Sequence, residues 1–129
     1  MSWASLLHNP VGITSIYQGN PPDLIDVHLH EVVLHEDGPT LKLRLDLPRY
    51  PDQPPRKWAA QGFNTLQVEI SFSGVREVTL EGFGTAISAE ISLTGEEGIS
   101  LNVMSAATRI WATADTAFIS KLTAYANEP

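Results

Sequence analysis

The sequence predicts a mainly β (α+β) fold, an antiparallel sheet arranged as a sandwich or partial barrel of about seven strands, and three observations predict it. Apolar and polar residues alternate with period two in several separate runs. Turn-forming residues punctuate those runs. Helical spacing is confined to the two ends of the chain. At 129 residues, with 43% hydrophobic and 18% charged side chains, the chain suits a single domain over residues 1–129 with a core of its own.

The N-terminal stretch carries Trp3, Leu6, Leu7, Val11, Ile13, Ile16 and Tyr17, interrupted at Asn9-Pro10 and at the "GNPP" of residues 19–22. Those positions suit one or two short helical turns, so the segment is expected to cap the core. From Leu24 the period becomes two. In "PTLKLRLDLP" Leu41, Leu43, Leu45 and Leu47 alternate with Lys42, Arg44 and Asp46, which marks a strand with one buried and one wet face. Asp37-Gly38 precedes it and supplies the positive φ of a tight turn, so residues 27–35 and 40–47 are expected to pair antiparallel.

The segment 48–58 contains four prolines and is a connection, because proline donates nothing to a sheet ladder. Alternation resumes in "NTLQVEISF", "VREVTLEGF", "TAISAEISLTG", "ISLNVM" and "TRIWATA". In the last segment Phe118, Leu122 and Tyr125 fall at i, i+4 and i+7, flanked by Ile119 and Ala126, with Thr113 or Asp115 available as a cap. That spacing predicts a C-terminal amphipathic helix lying on the sheet.

Composition narrows the function. The chain has no cysteine, which excludes disulfides, thiolate metal sites and a cysteine nucleophile, and fits a reducing compartment. "MSWASLLHNPVG" lacks the basic and apolar regions of a secretory signal, so a cytoplasmic address is expected. No run approaches the ~20 apolar residues that span a bilayer. A net charge of -7 repels a phosphate backbone, so neither nucleic acid nor membrane is an expected partner. The same acidity can steer a basic protein into contact.

Two groups of side chains could carry chemistry. His28, His30 and His35 lie within eight positions. On a regular strand His28 and His30 share a face with Val32 and Leu34, while His35 takes the opposite parity. An H-x-H pair can hold a metal when another element adds a third ligand, and nothing in the sequence identifies that ligand. No metal or cofactor is therefore expected, and a small-ligand-binding or metal-dependent β protein using His28 and His30 stands as the alternative.

Carboxylates form the second group. Glu69, Glu77, Glu81, Glu90, Glu96 and Glu97 are accompanied only by Arg76 between positions 67 and 97. Their strand parity places the first four on a wet sheet face, which suits a binding surface better than a catalytic acid–base pair. Five of the eight basic residues, Lys42, Arg44, Arg49, Arg56 and Lys57, lie elsewhere, within positions 42–57. No phosphate-binding loop, nucleophile elbow or H-E-x-x-H motif is present.

Taken in order, "SWASLL", "IYQGNPPDL", "LHEVVLHEDGPTLKLRLDLP", "PPRKWAAQGFNTLQVEISFSGVREVTLEGF" and "ISKLTAY" resemble the immunity protein 50 family of bacterial polymorphic toxin systems over nearly the whole chain. The resemblance implies a mainly β, non-enzymatic protein that binds and silences a cognate protein toxin in the cytoplasm. It brings no catalytic residues and fixes no interface. The expected toxin-facing surface is therefore taken from physics, as Glu69, Glu77, Glu81 and Glu90 with Trp58 or Phe63 as an aromatic anchor.

Overall fold

A computed structural model describes residues 3–95 and 97–127. The chain begins with a 3-10 turn, Trp3–Leu6, and a short helix α1, Val11–Ile16. Strands β1, Val27–His35, and β2, Thr40–Asp46, follow as a hairpin, and a single helical turn α2, Arg56–Ala59, interrupts the proline-rich connection. Six more strands follow among the described residues. They are β3, Thr65–Ser73; β4, Glu77–Glu81; β5, Ile87–Thr94; β6, Ile99–Met104; β7, Arg109–Ala114; and β8, Thr116–Tyr125.

All eight strands belong to one antiparallel sheet in the order β4-β7-β6-β5-β1-β2-β3-β8, and the sheet does not close. The architecture is thus mainly β and antiparallel as expected, but it is one open sheet of eight strands where a sandwich or partial barrel of about seven was expected. Two places bend it into two limbs. The first half of β5 (87–89) pairs with β1 and its second half (90–94) with β6. At the other side, β3 runs into β4 and β7 into β8 with only residues 74–76 and Asp115 between them.

Those junctions remain hydrogen-bonded to one another. Asp115 N–H donates to Ser73 O at 3.0 Å, and Arg76 N–H donates to Thr113 O at 2.8 Å. Residues 65–81 and 109–125 are in effect two long bent strands that run from one limb to the other. The Arg76 side chain staples the bend, donating to Glu97 O and Ala114 O and pairing with Asp115 at 3.2 Å. Gly74 and Gly98 adopt positive φ at this corner, and at both a Cβ would run into the staple: Asp115 at Gly74, Arg76 at Gly98.

One core is shared by both limbs. Leu41, Leu43 and Leu45 of β2, Val68, Ile70 and Phe72 of β3, Leu101 and Val103 of β6 and Ile110 and Ala112 of β7 all point into it. The N-terminal segment closes it with Trp3, Leu7, Ile13 and Tyr17, as the spacing of those residues predicts. Trp3 Nε1 donates to Pro22 O, and Tyr17 Oη donates to Arg49 O, which ties the cap to the proline-rich connection.

The C-terminal segment overturns an expectation. It is strand β8, paired to β3 from Thr65↔Tyr125 to Ser73↔Thr116, and no amphipathic helix is present there. The register shifts between Glu69 and Ile70, whose partners are Lys121 and Ile119, leaving Ser120 as an extra residue. Core-side residues before and after that bulge are Ala117, Ile119, Leu122 and Ala124, so a three-residue step breaks the alternation. The resulting pattern mimics a helix. Thr116, Phe118, Ile119, Thr123 and Tyr125 are the β-branched and aromatic types that favour strands.

Candidate functional site

The outward faces of the two limbs differ in character. On the limb β1-β2-β3-β8 the site builds from the hairpin register. From His35↔Thr40 to Glu31↔Arg44 the pairing is regular, and continued unchanged it would set His28 opposite Leu47 and His30 opposite Leu45. A bulge intervenes between Leu29 and Glu31, with His30 as the extra residue, and it brings His28 opposite Asp46. The bulge also reverses the facing expected for the rest of the strand. Val32 and Leu34 pair with the core residues Leu43 and Leu41, so they leave the face that His28 occupies.

Asp46 is the centre of this cluster and is only 5% exposed. His30 Nε2 lies 2.8 Å from its Oδ2, Gln67 Nε2 donates to its Oδ1 at 3.1 Å, and Tyr125 Oη donates to Oδ2. Burial alone would raise the carboxyl's pKa. The bonds from Tyr125, His30 and Gln67 together outweigh that and hold it below the usual carboxylate value. Burial, together with the Asp46 carboxylate, pushes the Tyr125 hydroxyl up to about 12, so it stays a neutral donor.

The ligand-type atoms of His28, His30 and Asp46 lie within 4.8 Å of one another, so the structure supplies the third group that the H-x-H pair lacked. Their orientation does not converge on a point. The two imidazoles stack with centroids 4.2 Å apart and planes 20° from parallel. In-plane lone pairs on stacked rings run side by side, whereas one metal ion needs them to meet about 2 Å from each nitrogen. The arrangement acts as a hydrogen-bond knot tying β1, β2, β3 and β8. His35 stands apart, exposed at the end of β1, and His8 is exposed in the N-terminal segment.

Elsewhere on this limb both outward carboxylates of β1 and β3 are paired, and Lys121 of β8 is left without an ion pair among the described residues. Lys42 meets Glu69 at 3.8 Å, Arg44 meets Glu31 at 3.7 Å, and Arg44 also donates to Gln67. The limb β4-β7-β6-β5 carries a different outward face. Its register places Glu77, Thr79 and Glu81 beside Thr113, Trp111 and Arg109, then Ser100, Asn102 and Met104, then Thr94, Ser92 and Glu90. Glu77, Glu81 and Glu90 are exposed and make no ion pair among the described residues. A shallow recess beside the Trp111 ring is lined by Thr79, Glu81, Asn102 and Arg109.

The four glutamates expected on a wet face all point outward, but they do not gather. Glu77, Glu81 and Glu90 share the second limb, whereas Glu69 lies on the first, engaged by Lys42 and Ser120. Trp58, on α2, packs against the core, and Phe63 is half-buried before β3. Glu96 lies outside the described residues, and Glu97 turns the β5–β6 loop with a positive φ. Sequence reasoning missed Asp46, Gln67 and Tyr125, of which Asp46 and Gln67 are partners in the regular β2–β3 register while the bulges bring the histidines and Tyr125 to them, and it missed Trp111. Alternation in "TRIWATA" held the signal for Trp111, since Ile110 and Ala112 as core residues force it outward.

Among the described residues no helix is long and apolar enough to cross a membrane. Neither the curated proteins nor the solved structures contain a match to this chain. A family model does match it, that of Immunity protein 50, over residues 9–125. The matched span takes in α1, the hairpin, both bends and the whole of β8, so the chain belongs to the Immunity protein 50 family.

Proposed function

We propose that this protein binds the toxic domain of a cognate bacterial polymorphic toxin and neutralises it in the cytoplasm, acting by stoichiometric binding rather than by catalysis. Membership of the Immunity protein 50 family carries the reading, because an immunity protein implies a protein toxin as its partner. The acidic surface supports it physically. A net charge of -7 favours encounter with a basic protein and opposes nucleic acid.

The competing reading is a metal-dependent β protein. One observation favours it, the proximity of His28, His30 and Asp46. Stacked rings and a carboxylate already engaged by three side chains count against it. The test is co-expression with the product of the open reading frame beside this gene, where this reading expects the toxin domain. Growth restored by this chain supports neutralisation, and continued killing despite soluble expression refutes it.

A further inference from the structure

We propose that the toxin docks on the outward face of the limb β4-β7-β6-β5, with Trp111 as the anchor, and that the docking surface of the toxin is basic around an apolar recess. This rests on the functional reading above and adds to it the surface and the chemistry of the partner.

Trp111 sits in the middle of that face. Thr79 of β4 and Asn102 of β6 flank it across the strands, so it is not an edge residue, yet it is 41% exposed. Met104, 44% exposed, lies on the same face between Arg109 and Glu90. The rest of the centre is small and polar: Thr79, Ser100, Asn102 and Thr113 can hydrogen-bond without obstructing approach. Three glutamates, Glu77, Glu81 and Glu90, surround these two apolar side chains against a single Arg109. An aromatic anchor and a methionine ringed by polar groups is the anatomy of a binding hot spot.

Charge decides the occupant. On the other limb the outward carboxylates Glu69 and Glu31 are already paired with Lys42 and Arg44, and Lys121, opposite Glu69 in the register, makes no ion pair among the described residues, so the unmatched charge on those strands is positive and offers a basic partner nothing. Here the three carboxylates are unmatched, and a partner that supplies Lys or Arg around a pocket for Trp111 satisfies them. A second copy of this chain cannot do so. Face to face, it would oppose three glutamates and one arginine with the same set. Edge to edge, antiparallel β4 strands centred on Thr79 would place Glu77 against Glu81 twice, a like-charge contact that destabilises a ladder.

The test uses the full chain and the toxin domain identified by that co-expression, with affinity measured by calorimetry at two salt concentrations and growth rescue scored in parallel. Trp111→Ala is expected to weaken binding about thirtyfold. Glu77→Lys with Glu81→Lys is expected to weaken it at least about tenfold and to flatten its salt dependence. Glu36→Lys with Asp37→Lys makes the same change of charge at the exposed β1–β2 turn and is expected to leave affinity within about twofold. All β4 residues are exposed, so the double glutamate variant keeps the test alive if Trp111→Ala does not fold. Wild-type protection with both face variants binding within about twofold of it overturns the docking face and leaves the functional reading standing. A wild-type chain that neither binds nor protects overturns both.

Discussion

Removing one hydroxyl tests the Asp46 knot. In Tyr125→Phe the ring that packs on the sheet is retained and only the bond from Oη to Asp46 Oδ2 is lost. A hydrogen bond to a buried charged group contributes about 1.5–3 kcal/mol. Asp46 keeps His30 and Gln67, so the expected loss is about 2 kcal/mol, a fall in Tm of roughly 6–10 °C for a domain of this size. The pH dependence has a definite sign. Because the folded carboxyl is held below its ordinary value, its stabilising effect is full above an unfolded pKa of about 3.9 and is lost as pH falls through the folded value. Tyr125 remains a neutral donor throughout that range, so the gap between wild type and variant should be full near neutrality and shrink on acidification below about pH 4. Denaturant unfolding at both pH values measures this. A loss below about 0.5 kcal/mol, or one of equal size at both pH values, would refute the reasoning.

Further variants probe the remaining supports. Thr108→Val removes a buried hydroxyl that donates to Gly82 O at 2.6 Å and anchors the end of β4; denaturant unfolding should show a loss of about 1–2 kcal/mol. Gly98→Ala places a methyl against the Arg76 guanidinium and 2.5 Å from Ala114 O at a φ of +109°, and thermal melts should report a loss above about 2 kcal/mol. Zinc titrated into the purified chain and followed by calorimetry should show no stoichiometric site. A one-to-one site abolished by His28→Ala would reverse the ranking of the two functional readings.

What could be read from the sequence follows where the backbone is regular. The "PTLKLRLDLP" strand and five further strands are expressed in alternation with turn residues between, the hairpin partner is announced by Asp37-Gly38 and the cap by helical spacing, and each forms. Both failures of reading occur at a β-bulge. At Ser120 the extra residue disguised β8 as a helix, and at His30 it concealed the meeting of His28 with Asp46. A bulge changes parity without any reliable mark in residue type, so a pattern of period two cannot report it. The candidate docking face was half legible: parity turned the glutamates outward, but assigning them to different limbs needed the bends at residues 74–76 and Asp115.

Those bends also set what a partner would meet. The limb that carries Trp111 is joined to the rest by β5 on one side and, on the other, by two strands that pass through the corner still hydrogen-bonded to each other and held by Arg76. It has no hinge there and cannot close over a ligand as a lid does. A partner must fit the surface as it stands, with little loss of backbone freedom on either side of the corner. Complementarity built on such a preorganised surface is expressed chiefly as slow dissociation, while the unmatched carboxylates around it hasten arrival.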